Sequence, residues 1–417
     1  MKFDDYDLDP EIKRNLKQLG FKRPTDIQFK AIRHILQRED VLAIAQTGTG
    51  KTAAFAIPII QLLHAQKSSK RIEGIRCLVM VPTRELAIQL TEVFEQIEQH
   101  TRVKTFSTFG GVEQGPQIAQ LAKGVDILVT TPGRMFDLVS QGHIKLDKVE
   151  ILVLDEADHM LDLGFIKDIQ DLTRHLPTNR QTLFFSATIT KKIKRLAYSL
   201  IDQTKAIRIQ ISPKNPVAKN VNHSVAFIEM DDKRFFLERI IRENPESKIL
   251  VFVRTKVRAE RVVKAMSRVD IQSQNIHGGK EQKDRISVLG DFKSGKNKVL
   301  IATDVSARGI DIPNVDYVVN YDLPEQADNY VHRCGRTGRG RLKGQAISFC
   351  SAQEKPLLAE IEKYTGDKIE VTEIESDTYK ETLVFTEDHD NDWKALMKRA
   401  AKEDAESLGK RRKKRRK

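Results

Sequence analysis

The segment Ala45-Gln46-Thr47-Gly48-Thr49-Gly50-Lys51-Thr52 gathers two glycines, a lysine and hydroxyl side chains into eight residues, directly after the apolar run Val41–Ala45. Holding a phosphate chain takes backbone N–H groups brought close without side-chain obstruction, an ammonium for charge and a hydroxyl for Mg²⁺. This segment offers all three, in the strand, loop, helix order that such a loop requires. The strict pattern opens on glycine where this chain has Ala45, which leaves Gly48, Gly50, Lys51 and Thr52 in place. The competing reading is a Gly-rich turn with no ligand. Asp155-Glu156-Ala157-Asp158 ends another apolar run. A carboxylate at a strand's C-terminal edge can hold Mg²⁺, and a second one can orient and deprotonate a water. Asp155 suits the first role and Glu156 the second. Alone, such a cluster equally suits a helix N-terminus, where negative charge is welcome; paired with the loop it favours catalysis.

These groups need elements to aim them. Aliphatic runs recur at Val41–Ala45, Cys77–Val81, Asp126–Thr130, Ile151–Leu154 and Leu183–Phe185, then again at Ile249–Val253, Val299–Ala302, Val315–Asn320 and Ala346–Cys350. Runs of this length and composition predict buried parallel strands. Between them, segments such as Glu85–Gln99 place Leu86, Leu90, Phe94 and Ile97 at helical spacing. Two successive series of this kind predict an α/β protein with two tandem doubly wound parallel sheets. The expected division is a first domain over 1–211, a linker over 212–220 (SPKNPVAKN), a second domain over 221–366 and a C-terminal region over 367–417. Residues 367–392 carry ten acids and two lysines, with no strand pattern to continue the second sheet, and predict a loosely ordered stretch. Trp393, Leu396, Met397, Ala400 and Ala401 fall at helical spacing, as a short amphipathic helix that is either exposed or docked on a partner.

The 417 residues carry 71 Lys and Arg against 58 Asp and Glu, a net charge of +13. The last eight residues, Lys410–Lys417, are all basic, so +8 of that charge sits in the tail. A basic arm either meets a polyanion or only keeps the chain in solution. No apolar run approaches the roughly 18 residues of a membrane span, and the start of the chain lacks a leader pattern. Three cysteines without metal-ligand spacing make a disulfide framework or zinc site improbable, and a reducing cytoplasm is the expected setting.

Asp155–Asp158 spells DEAD, and the surrounding blocks resemble the DEAD-box family of superfamily 2 RNA helicases. The resemblance runs over roughly residues 3–366. In the first half it is carried by Gly20-Phe21 with Pro24-Thr25 and Gln28, the phosphate loop, Pro82-Thr83-Arg84-Glu85-Leu86, Gly110-Gly111, Thr131-Pro132-Gly133-Arg134 and Ser186-Ala187-Thr188. In the second half it is carried by Val251-Phe252-Val253, His277-Gly278 with Gln282 and Arg285, Ala302-Thr303-Asp304 with Arg308-Gly309-Ile310-Asp311, and His332 through Arg339. The compact core with a short basic extension is most similar to the bacterial RhlE-type subgroup.

The resemblance implies two RecA-like domains with ATP, Mg²⁺ and RNA between them. It assigns the adenine to Gln28 and Phe21 with Arg23 and Thr25 nearby, and the phosphates to Gln46, Thr47, Gly48, Thr49, Gly50 and Lys51. Mg²⁺ falls to Thr52 and Asp155, and water activation to Glu156. Arg336 and Arg339 would reach the γ-phosphate, with Gly309 and Asp311 near the ribose and phosphates. Arginines in such turns also pair simply with surface carboxylates. Asp158, Ser186, Thr188 and His332 would couple the nucleotide to strand separation; Ser186 and Thr188 suit helix capping as well, and His332 suits packing. Cys334 stands where an aliphatic residue is usual, a small thiol filling the same space. RNA contacts are implied for Thr83, Arg84, Gly111, Thr131 and Arg134, and for Arg254, Gly278, Arg285 and Thr303. None of these reads a base edge, so low sequence specificity is expected. The implied activity is ATP-dependent local unwinding by a monomeric core, with a protein partner possible at the C-terminal region. The acidic stretch is expected to compete with RNA for the basic tail. Two other readings use the same motifs: an ATP-gated RNA clamp with little unwinding, and a DNA-directed helicase.

Overall fold

The computed structural model describes residues 1–46, 48–66, 74–211, 217, 220–307, 315–338 and 343–387. The first seven strands, β1 (Val41–Ala45), β2 (Cys77–Met80), β3 (Thr105–Thr108), β4 (Ile127–Thr130), β5 (Ile151–Leu154), β6 (Gln181–Ser186) and β7 (Ile207–Ile211), form one sheet in the order β3-β4-β2-β5-β6-β1-β7. The next seven, β8 (Val221–Phe227), β9 (Ile249–Phe252), β10 (Gln274–Ile276), β11 (Val299–Ala302), β12 (Tyr317–Asn320), β13 (Gly344–Cys350) and β14 (Glu370–Val371), form a second in the order β10-β11-β9-β12-β13-β8-β14. Every named pairing is parallel. Strands reading VLAIA, CLVM, ILVL and ILVF are buried along their whole length, because helices cover both faces of each sheet.

Four apolar clusters fill these layers. Two flank the first sheet, one containing Phe55, Phe94 and Phe185 and the other Met135, Leu152 and Phe184. Two flank the second, containing Phe252, Phe292 and Tyr330, and Leu237, Val251 and Phe349. Among the described residues no apolar cluster draws on both sheets. The first sheet's last strand ends at Ile211 and the second's first begins at Val221, either side of the Pro-containing seam.

The second sheet does not stop before Asp367, as the sequence reading expected. Glu370 and Val371 pair with Ser224 and Val225 as a seventh strand. The helix Ser376–Glu387 then packs on the helix Lys233–Glu243. Tyr379 lays its ring against Phe236 at 4.9 Å and donates its hydroxyl to Asp232 at 2.8 Å, while Arg239 donates to Thr382 at 2.8 Å. A two-residue, exposed edge strand carries too little apolar signal to register, and the acids around Tyr379 hide its one anchoring ring. The Trp393 helix and the basic tail lie outside the described residues.

Chemistry-bearing loops follow the C-terminal ends of the strands. In the first sheet β1 leads into the phosphate loop, β5 into Asp155 and β6 into Ser186-Ala187-Thr188. In the second β9 leads to Arg254, β10 to His277-Gly278 and β11 to Thr303. This is the edge at which doubly wound sheets place ligands.

Candidate active site

The phosphate loop bends through two glycines at φ +81° (Gly48) and +92° (Gly50), conformations that side chains disfavour. A Cβ on Gly50 would stand 2.5 Å from Gln28 Nε2, so a side chain there would displace that amide. The loop is pinned from both sides: Thr49 Oγ1 donates to Gln46 O at 2.7 Å, and Gln28 Nε2 donates to Gly50 O at 3.1 Å. Gln28 Oε1 in turn accepts from Thr25 N at 3.0 Å, across the start of the helix Asp26–Leu36. One amide thus ties the loop to the preceding helix, and these two bonds use half of its donor and acceptor capacity. Phe21 is half-buried and meets Phe3 edge-on at 5.6 Å, while Arg23 and Thr25 are exposed beside it. Thr52 is half-buried on the first turn of the helix Lys51–Gln66.

Lys51 is buried, yet its ammonium has no hydrogen-bond partner among the described residues. A buried ammonium that makes no hydrogen bond is costly and asks for an acceptor to complete it. A phosphate in the loop does so. Asp155 is also buried, and burial pushes its carboxyl up to about 6 against the opposing charge of Lys51. Among the described residues no cluster of three or more His, Cys, Asp or Glu could cage a metal. One hydroxyl, one carboxylate and the oxygens of phosphate and water form the sparse donor set that suits Mg²⁺. The residues present fit both groups.

Glu156 sits at φ 51°, ψ 47°, left-handed backbone for a residue with a side chain. Such positions cost on the order of 1–3 kcal/mol and persist where their surroundings enforce them. Here Glu156 N donates to Asp155 Oδ1 at 3.0 Å. Burial alone would raise the Glu156 carboxyl, but the His159 ring, Lys51 and Arg336 outweigh it and hold it at about 2. His159 Nδ1 stands 3.6 Å from Glu156 Oε2, just beyond hydrogen-bond length. His159 is itself buried, and the sequence reading did not single it out. Its position three residues past Glu156, on the same face of the helix Ala157–Asp162, was the available signal.

Asp158 Oδ2 accepts three bonds from the loop after β6: Ala187 N at 3.1 Å, Thr188 N at 3.0 Å and Thr188 Oγ1 at 3.1 Å. Ser186 Oγ donates to Thr188 O at 2.8 Å. The DEAD turn and the Ser-Ala-Thr turn are therefore one hydrogen-bonded unit.

From the second sheet, Arg336 brings a buried guanidinium whose charge acts on Glu156 across the cleft; its Nε donates to His332 O at 3.2 Å. Thr337 Oγ1 donates to Val315 O and Asp316 O, and a Cβ on Gly344 would collide with Thr337 and the Gly338 backbone. A close backbone approach thus sets the height of the arginine turn. Arg333 is spent internally, gripping Asp304 with two bonds of 2.6 and 2.7 Å over the Phe252 ring. Cys334 is a buried free thiol against Tyr330 and Asn320, and burial pushes it up to about 12. Thr47, Gly309, Asp311 and Arg339 lie outside the described residues.

A second group of residues lies on loops beyond the nucleotide. Gly111 has φ +77°, and a Cβ there would collide with the Arg84 guanidinium, which covers the Gly-Gly turn. Thr83 Oγ1 accepts from Leu86 N and caps the helix Arg84–Glu98. Arg134 is buried with Nη2 on Val112 O at 2.9 Å, while its Nε and Nη1 have no hydrogen-bond partner among the described residues. Thr131 is buried ahead of it. In the second sheet Gly278 faces open space, Thr303 is buried with Oγ1 on Ser306, and Arg254 is half-buried against Glu354 at 3.2 Å. Arg285 differs from the rest, being committed to Glu85 of the first half at 3.0 Å. Gln282 joins it, donating to Glu85 Oε1 at 3.0 Å and accepting from Arg84 Nη1 at 3.4 Å. In the sequence reading Glu85 stands only as part of a motif, with no role; its carboxylate is a meeting point of the two halves.

A DEAD/DEAH box helicase family model matches residues 25–196, and a helicase conserved C-terminal domain model matches 232–341. The chain is 39% identical to ATP-dependent RNA helicase DbpA of Bacillus subtilis (strain 168), over 90% of this chain and 77% of the relative. It is 40% identical to ATP-dependent RNA helicase RhlB of Shewanella frigidimarina, over 90% of this chain and 87% of that one. Among solved structures, Saccharomyces cerevisiae Dbp5 bound to RNA and ADP BeF3 superposes with a TM-score of 0.80 at 30% identity, covering 93% of this chain and 99% of Dbp5. The helicase Mss116 bound to single-stranded RNA and UDP-BeF superposes with a TM-score of 0.82 at 29% identity, covering 91% and 81%. The chain belongs to the DEAD-box helicase family.

Proposed function

We propose that this chain is an ATP-dependent RNA helicase that opens short duplexes, or remodels RNA–protein complexes, by closing two halves on a single strand. One observation carries this reading: a buried Lys51 whose ammonium makes no hydrogen bond among the described residues and the Asp155–Glu156 pair face Arg336 of the other half across one cleft. Lys51 and the loop amides bind the phosphates, and Gln28 with Phe21 holds the adenine. Thr52 and Asp155 would hold Mg²⁺, which supplies charge neutralisation at the β- and γ-phosphates. Glu156, anionic at neutral pH, orients the attacking water and takes its proton. Arg336, with Arg339 in the same role, brings positive charge to the leaving phosphoryl, a contribution of about 10³ to 10⁵ in rate in such enzymes. Since each half supplies part of the site, turnover requires closure. The Asp158 unit with the Ser186–Thr188 turn, and His332 beside Arg336, relay that state to the RNA side.

On that side the donors left over on Arg134, the Arg84 fork over Gly111, and the groups around Thr83, Thr131, Arg254, Gly278 and Thr303 suit a phosphate-sugar track. Arg285 serves closure through Glu85. Such contacts ignore base identity, and 2′-hydroxyl contacts select RNA.

The functional division is 1–211 and 221–366 about a 212–220 linker, with 370–387 folded onto the second half. The compact core with a short basic extension is the feature that favours the RhlE-type subgroup, although the relatives it matches include DbpA, CshA and RhlB helicases, and a core that holds both sides of its cleft in one chain supports a working monomer. Three buried free thiols suit a reducing cytoplasm. Among the described residues no helix is long and apolar enough to cross a membrane.

The test is ATP hydrolysis without nucleic acid, with single-stranded RNA and with matched DNA. RNA alone should stimulate. Glu156→Gln should abolish turnover while trapping an ATP-bound complex on RNA. Equal stimulation by DNA, or none by RNA, would sink the reading.

A further inference from the structure

Beneath the C-terminal edge of the second sheet lies a cluster of charges that no step of the reaction uses. Lys233 has a fully buried side chain, and its ammonium spends all three donors: on Tyr321 O at 2.8 Å, Phe349 O at 3.2 Å and Glu354 Oε2 at 2.5 Å. Glu354, equally buried, also accepts from Ser351 N and Oγ through Oε2, and from Leu323 N and Arg254 Nη2 through Oε1. Asp322 accepts from Arg254 N at 3.1 Å and faces Arg258 Nε at 3.1 Å. Glu354 is therefore anchored below by Lys233 and Ser351 and holds Arg254 above.

Apolar residues would fill this space at least as stably, since burying ions seldom repays its desolvation cost. What the ions add is direction. Glu354 engages only Nη2 of Arg254, and no bond to its Nε or Nη1 is found among the described residues. Arg254 stands two residues past β9, beside the capped start of the helix Lys256–Arg268, with its side chain 29% exposed. A guanidinium held by one corner keeps its planar fork while its rotamer freedom is already spent.

We propose that Glu354, anchored by Lys233, is a positioning residue for RNA: it holds the Arg254 fork toward the strand's phosphates before RNA arrives. This rests on the RNA-helicase reading of the same cleft. Lys233 ties the ends of β12 and β13 through Tyr321 and Phe349, so the arginine is referenced to the middle of the sheet rather than to its own loop.

The test is equilibrium binding of single-stranded RNA to the full chain with a non-hydrolysable ATP analogue, across a salt series, for wild type, Glu354→Gln, Arg254→Ala and the double variant. Glu354→Gln should weaken RNA binding about tenfold, the scale of a lost charge-assisted hydrogen bond, and leave ATP affinity without RNA unchanged. In the Arg254→Ala background the same change should have no further effect on RNA. Arg254→Ala should also shallow the log–log salt slope by about 0.7, one phosphate contact on a single strand. Equal losses from Glu354→Gln in both backgrounds, or none in either, would overturn the proposal. Arg254→Lys, which leaves the buried cluster in place, guards against a folding defect: it keeps the charge and loses the fork, and wild-type affinity there would overturn the proposal too. Wild type failing to bind RNA would instead overturn the helicase reading.

Discussion

Glu156 holds its carboxylate from left-handed backbone, among groups that keep it ionised, and that arrangement could not be read from the sequence. The residue types were legible: Lys51, Asp155, Glu156 and Asp158 follow from what phosphate and water chemistry demand. Their partners were not, because His159, Gln28 with Gly50, and Glu85 with Arg285 meet only once the chain has folded. Gly111 shows the same gap. Its neighbour Arg84 lies 27 positions away in sequence and touches it in space. Gly111→Ala should cost about 1 kcal/mol of stability from the strained φ. It should also swing Arg84 aside and weaken RNA binding several-fold with ATP affinity intact, as RNA titration of the ATPase would read.

At the scale of elements, the apolar inner strands were legible, while the edges and the inner but mixed β8 (VNHSVAF) were not. Strands β1, β2, β5, β9 and β11 are covered on both faces and read as unbroken apolar runs. The edge strands β3 (TFST), β7 (IRIQI), β10 (QNI) and β14 are short or mixed, since water reaches part of them. The edge also holds an ionisable weak point. Glu98, at the C-terminal end of its helix, accepts from Thr105 of β3, and burial with Glu95 and Asp126 nearby pushes it up to about 7. A carboxyl raised on folding binds more protons in the folded state, so stability falls as pH climbs from its ordinary value through 7. Glu98→Gln should flatten that decline, by on the order of 3 kcal/mol at most between pH 5 and 8. Thermal melts across that range would show it, and an unchanged slope would count against it.

At the scale of the molecule, the halves meet through polar groups. Glu85 binds both Gln282 and Arg285, and no apolar cluster among the described residues bridges the sheets. Glu85→Ala should leave each half's melting behaviour nearly unchanged and lower RNA-stimulated ATPase about tenfold, by depriving the closed form of charge-assisted bonds. Probes placed on the two halves should report fewer closed molecules when nucleotide and RNA are present.

The separate cores also bear on what the peptide connection between Ile211 and Val221 supplies. A handful of polar pairs is a millimolar-grade association at best when two bodies must find each other in dilute solution. A short tether substitutes an effective concentration of roughly that order. Two fragments divided within 212–220 should each fold around their own sheet. Mixed at micromolar concentration they should remain apart and hydrolyse ATP poorly, with activity returning only as the fragments are concentrated or as a long RNA holds both. Connectivity, rather than adhesion, makes the two sheets one enzyme.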